Sequence, residues 1–101
     1  MKKKLDYKID VPNRVKRYIK KIKDKHLKKS IVEAIYEDIP HNPNKGISKI
    51  GDLVGIYTWA VNYQGTTYRI AYTFENESLI LIVLVGPHEN FYQALKRTVG
   101  H

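Results

Sequence analysis

Arg69, His88 and Tyr92 are the residues whose chemistry, if brought together, suits a phosphodiester. A guanidinium is a permanent cation whose planar fork fits phosphate oxygens. Histidine titrates near neutral pH, as a side chain that moves protons must. A phenol can stack on a nucleobase or hydrogen-bond to it. Each also has a plain structural role open to it. Arg69 can pair with Glu75 or Asp52, His88 can cap a turn, and Tyr92 can be an amphipathic side chain at a helix edge. The other histidines offer less: His26 lies in a lysine run, His41 in a breaker-rich loop, and His101 ends the chain. None has the helical spacing or carboxylate partner of a metal site, so neither a metal nor a cofactor is expected. The chain has no cysteine, which excludes disulfides, thiolate ligands and cysteine nucleophiles. It also lacks a glycine-rich phosphate loop, a nucleophile elbow and a zinc-finger pattern.

The elements that must position these residues follow from hydropathy patterning. Leu5–Val11 alternates as a half-buried strand, and Pro12 ends it. From Pro12 to about Lys23, Val15, Tyr18, Ile19 and Ile22 form the apolar stripe of a first helix. A second helix is expected from about Lys25 to Ile39, with the stripe Leu27, Ile31, Ala34, Ile35 and Ile39 and a cap at Asp24. Pro40–Gly46 is dense in breakers and is expected to be loop. Two strands, Val54–Tyr63 and Thr66–Phe74, flank a two-residue Gln64-Gly65 turn. That turn sets Tyr63 opposite Thr66, Val61 opposite Tyr68, Trp59 opposite Ile70 and Tyr57 opposite Tyr72. Tyr57, Trp59, Val61, Tyr68, Ile70, Tyr72 and Phe74 then share a core-forming face. Ile56, Thr58, Ala60, Asn62, Thr67, Arg69, Ala71 and Thr73 share the other, which is expected to be open or ligand-facing. Leu79–Val85 is apolar on both faces, as in an interior strand. A break at Gly86-Pro87 leads into a helix beginning at His88. There Phe91, Leu95 and Val99 form an anchoring stripe, and His88, Tyr92 and Lys96 form its neighbour.

At 101 residues the chain is expected to be one domain spanning residues 1–101. Its formal charge is +8 and is unevenly spread. Residues 1–50 hold 15 Lys/Arg against 6 Asp/Glu, a net of +9, whereas residues 51–101 hold 3 against 4, a net of −1. Such a field draws in RNA, DNA or an acidic protein, although a lysine-rich helix surface also serves solubility alone. Lys2-Lys3-Lys4 is followed by Leu5-Asp6-Tyr7-Lys8 rather than an apolar signal-peptide core, and no apolar run approaches a membrane span. A cytoplasmic location is expected.

The order strand–helix–helix–three strands–helix is one part of a family likeness. The others are the segment Lys49–Tyr57, the strand Thr67-Tyr68-Arg69-Ile70-Ala71-Tyr72 and the ending Gly86-Pro87-His88-Glu89-Asn90-Phe91-Tyr92. Together they resemble the RelE/ParE superfamily of toxins from type II toxin–antitoxin systems. The resemblance implies a small α/β (α+β) fold, β-α-α-β-β-β-α. Its sheet is mostly antiparallel, with an α-hairpin on one face, a short C-terminal helix at the edge, and the first strand parallel to the last. It also implies an acidic cognate antitoxin and, in the RelE-like branch, an mRNA endoribonuclease that works on the ribosome without metal. A ribose 2′-hydroxyl attacks the adjacent phosphate, leaving a cyclic phosphate and a 5′-hydroxyl. On this likeness Arg69, His88 and Tyr92 are catalytic, and Lys45, Lys49, Lys96 and Arg97 hold RNA. The chain departs from the RelE type where that branch has strand lysines; here the positions are Thr58, Ala60 and Asn62. The alternative is a ParE-like gyrase inhibitor or an inert relative that only binds its partner.

Overall fold

The alternation around Ile9 produces β1 (Lys8–Asp10), and Pro12 stands at the N-cap of α1 (Asn13–Lys20). These elements belong to a computed structural model that describes residues 7–48 and 55–100. The expected strand start at Leu5 and Asp6, and the segment from Lys49 to Val54, lie outside the described residues. The helix α2 (Lys25–Glu33) begins as expected. The Asp24 carboxylate accepts the His26 and Leu27 backbone N–H groups at 3.0 and 3.2 Å, satisfying two donors that no helical carbonyl can reach.

Beyond Glu33 the chain stays helical further than the breakers suggest. A π-helical segment (Ala34–Asp38) runs into α3 (Ile39–His41), and a 3₁₀ turn (Pro43–Lys45) follows. Pro40 and His41 are therefore helical, which corrects the expected loop. Pro40 has no N–H to give and its ring crowds the carbonyl four residues back, and a wider π turn just before it accommodates both defects. The whole expected stripe of Leu27, Ile31, Ala34, Ile35 and Ile39 is buried.

Among the described residues, five strands make the sheet, in the order β1-β5-β4-β3-β2. They include a short β2 (Ile47–Ser48) that the sequence did not announce, β3 (Ile56–Tyr63), β4 (Thr66–Asn76) and β5 (Leu79–Pro87). β1 runs parallel to β5, as a two-helix crossover requires, and the other pairings are antiparallel. The hairpin register is the expected one at every position, from Tyr63 opposite Thr66 to Tyr57 opposite Tyr72. Gln64 (φ 49°) and Gly65 (φ 80°) take the left-handed conformations of a primed two-residue turn.

The helices α1 and α2 cover one face, where Ile70, Tyr72, Ile80 and Ile82 meet Ile31, Ile35 and Ile39. Each such side chain contributes about 1.5–3 kcal/mol by leaving water. The opposite face is not fully open, and here the expectation needs correcting. α4 (Phe91–Gly100) lies over it and not merely at its edge, closing a second, smaller cluster of Ala71, Val83, Phe91 and Leu95. Thr58 is also buried there, at 2% exposure. Val99, expected to complete the anchoring stripe, is instead exposed. A bulge in β5 helps build this cluster. Ala71 pairs with Leu84 and Tyr72 with Ile82, so Val83 is the extra residue and joins the α4 side. Its carbonyl accepts a 2.9 Å hydrogen bond from Arg14 Nη2 of α1.

Candidate active site

Arg69 lies in the part of β4 that α4 leaves uncovered. In register it stands between Ala60 of β3 and Gly86 of β5. Neither neighbour has a side chain long enough to fence the guanidinium, so the half-buried Arg69 can reach along the sheet. It reaches His88: Arg69 Nε donates to His88 Nδ1 at 3.1 Å.

His88 is exposed, yet its backbone is fixed on both sides. Its N–H donates to the Thr67 carbonyl at 2.7 Å, continuing the β4–β5 pairing one residue past Pro87. Its own carbonyl accepts the Phe91 N–H at 3.0 Å, and Asn90 (φ 62°) turns the chain into α4. Two expectations are corrected here. Gly86-Pro87 is the end of β5 rather than a break, because Gly86 pairs with Arg69 and Pro87 with Tyr68. His88 precedes the helix rather than opening it, since the left-handed Asn90 separates them.

Tyr92, in the first turn of α4, closes the group. Its ring centre lies 5.8 Å from Arg69 Cζ, within cation–π range, and 6.3 Å from the His88 ring at an interplanar angle of 84°. Phe91, buried beside it, meets the Tyr92 ring edge-on at 5.5 Å. Cation, imidazole and phenol thus converge from β4, the β5–α4 turn and α4. The Arg69 contact also fixes the state of the imidazole. An arginine Nε always carries its proton, so His88 Nδ1 must present a lone pair, and the neutral ring holds its proton on Nε2.

The other candidate residues are spread more widely. Lys45 ends the 3₁₀ turn and lines a surface recess with Ile47, Thr58, Trp59 and Ala60. Lys49 lies outside the described residues. Lys96 and Arg97 are exposed on α4, with Lys96 one turn beyond Tyr92. Among the described residues, no three His, Cys, Asp or Glu side chains stand close enough to hold a metal ion. No described helix is long and apolar enough to cross a membrane.

Sequence reasoning missed the supports of this site. The Thr67 carbonyl that holds His88 is backbone and leaves no trace in residue type. Thr67 Oγ1 in turn donates to Asn62 Oδ1 at 2.8 Å. The small flank Ala60 was legible from the hairpin register, whereas Gly86 was not, because it was expected in a break after the last strand.

The model of a family described as ParE-like toxin of type II bacterial toxin–antitoxin system matches residues 9–96. Among solved structures, the chain is similar to one in the RelBE2 toxin–antitoxin complex from Mycobacterium tuberculosis. The TM-score is 0.67 at 21% identity, covering 87% of this chain and 98% of that one. No curated protein matches the chain.

Proposed function

The chain belongs to the ParE-like toxins of type II bacterial toxin–antitoxin systems, and on that premise we propose that it is a ribosome-dependent mRNA endoribonuclease that stops translation. The convergence of Arg69, His88 and Tyr92 carries this reading. Arg69 stabilises the charge that builds on the scissile phosphate as the 2′-hydroxyl attacks, His88 moves a proton, and Tyr92 orients the nucleotide by stacking or hydrogen bonding. The chemistry uses no metal. The basic N-terminal half, with Lys45, Lys49, Lys96 and Arg97, holds mRNA and rRNA phosphates. The same charge attracts an acidic antitoxin in the cytoplasm, which lays an amphipathic helix or strand over the toxin.

Induction in a bacterial host tests this. Wild-type protein is expected to halt translation and leave cuts at defined codon positions in translated messages. Arg69→Ala and His88→Ala are each expected to slow cleavage by about 10²–10³-fold while remaining folded by circular dichroism. Full toxicity of both variants would place the activity elsewhere.

One observation favours a second reading, gyrase inhibition. Beside Arg69, the exposed positions of β3 are Ala60 and Asn62 rather than lysines, and the matching family takes its name from ParE. Induction of the SOS response with intact mRNA would select that reading.

A further inference from the structure

We infer that the Arg69–His88 hydrogen bond is a latch that a phosphodiester opens, so that the imidazole becomes a proton acceptor only when Arg69 has been claimed by a phosphate. The inference rests on the proposed nucleolytic reading of this site and adds how it is switched on.

A neutral imidazole has one lone pair in the ring plane, and in His88 the Arg69 Nε–H occupies it. Neither ring nitrogen can then take up a proton. Nδ1 is engaged, and Nε2 already carries hydrogen. The resting arrangement is therefore inert toward a ribose hydroxyl, although all three side chains stand together.

Phosphate changes the competition at one partner. The bond to His88 is charge-assisted only through its donor, whereas a phosphate adds a full negative charge on the acceptor and can take two parallel N–H bonds from the fork. The geometry decides which partner moves. His88 is clamped by its backbone to Thr67 and Phe91, with Pro87 before it, whereas the cross-strand neighbours of Arg69 are the small Ala60 and Gly86. A Cβ built on Gly86 would sit in van der Waals contact with Phe91, 3.9 Å from its Cδ1, so the glycine leaves beside Arg69 the room that a small side chain would fill. The guanidinium can turn to the anion while the imidazole stays in place, with Tyr92 as the remaining wall of the site.

The freed Nδ1 then accepts the 2′-hydroxyl proton as the 2′ oxygen bonds to phosphorus. The electron pair of the P–O5′ bond leaves with the 5′ oxygen, which takes a proton from water. The imidazolium returns its proton to the resulting hydroxide, and Arg69 re-engages Nδ1 when the cyclic phosphate departs. Arg69 thus serves both as the cation on the phosphate and as the residue that withholds the base until a phosphate is present.

NMR on the full-length, ¹⁵N-labelled protein tests this without relying on cleavage. In the free protein we expect a scalar coupling between Arg69 Nε and His88 Nδ1 across the hydrogen bond, together with slow solvent exchange of the Arg69 Nε–H. Titration with inorganic phosphate, and separately with a DNA dinucleotide that lacks the attacking hydroxyl, should abolish the coupling. His88 Nδ1 should then shift to the position it has in Arg69→Ala, while chloride at matched ionic strength leaves the coupling intact. In Arg69→Ala, phosphate should no longer move His88. The latch is overturned if the free protein shows no coupling, if the coupling survives both probes at any concentration, or if Arg69→Ala responds like wild type. Release by phosphate in a protein that never cuts mRNA would uphold the latch and remove the nuclease reading. Cleavage with the coupling intact in the bound state would do the reverse.

Discussion

Under the helical hairpin, Ile31, Ile35, Ile39, Ile70, Tyr72, Ile80 and Ile82 are all fully buried. On the opposite face, the apolar residues buried to that depth are Ala71 and Leu95, with Phe91 and Val83 close to it. The first face carries most of the stability. The second has enough apolar surface to seat one helix, and beyond that helix it leaves Arg69, His88 and Tyr92 partly in water. A small domain has one good core to build. Placing it on a single face leaves the other free for groups that a core would have to neutralise.

Truncation on each face should expose this asymmetry. Ile31→Ala opens a cavity in the larger cluster and is expected to cost about 2–5 kcal/mol, lowering the urea midpoint of the whole molecule. Leu95→Ala should lie at the low end of that range, about 2 kcal/mol, because α4 can resettle over a small cluster. Its effect on the site should be larger than its effect on stability. Amide exchange should quicken in α4 and toxicity should fall at temperatures where the protein remains folded, since α4 holds Tyr92 beside Arg69. Equal global destabilisation by the two variants, with no selective loosening of α4, would show that the faces form one cooperative core.

Much of this architecture was legible because local signals agreed. The Gln64-Gly65 turn and the alternation around it specify one register, and a slip of one residue would have moved Arg69 into the core. Asp24 was legible as a cap from its residue type and position. The misses share a cause: each depends on contacts distant in sequence. Pro40 marks a loop by propensity, but tertiary packing of Ile39 and a π turn keep it helical. The Val83 bulge is invisible in Leu79–Val85, where every residue is apolar and no alternation remains to be broken. Arg69, His88 and Tyr92 were legible as candidates by type, but the bond from Arg69 to His88 was not, since a carboxylate partner is what residue type suggests for an arginine.

Tyr72 provides a smaller test, on the hairpin face. Its hydroxyl donates to the Pro43 carbonyl at 2.5 Å, tying β4 to the 3₁₀ turn. A Cβ on Gly46 would collide with that hydroxyl, so only glycine lets the loop pass. Tyr72→Phe is expected to cost about 0.5–1.5 kcal/mol at neutral pH. Burial pushes the phenol up to about 12 from an ordinary 10.0. The unfolded chain therefore ionises first, and the stabilisation is complete below pH 10 and lost between there and pH 12. Urea titrations across that window should show the wild type weakening more steeply than Tyr72→Phe. Parallel curves would mean that the phenol does not report the burial of this face.

The smallest expected effect is of opposite sign and belongs to the other face. Thr58 is 2% exposed, and its hydroxyl has no hydrogen-bond partner among the described residues. It stands in register with Ala71 on one side and Ile47 on the other, both apolar. Burying a hydroxyl without a partner is unfavourable, and valine has nearly the same shape without that group. Thr58→Val is therefore expected to raise stability by about 1 kcal/mol, seen as a higher urea midpoint at unchanged slope. On the hairpin face the one tyrosine buried as deeply, Tyr72, has its hydroxyl bonded to Pro43, and there removing oxygen should weaken the fold. Opposite signs for the two oxygen deletions would confirm that the Arg69 face is the less optimised of the two. A loss of stability in Thr58→Val would mean that its hydroxyl has a partner in solution and that this face is as fully satisfied as the first.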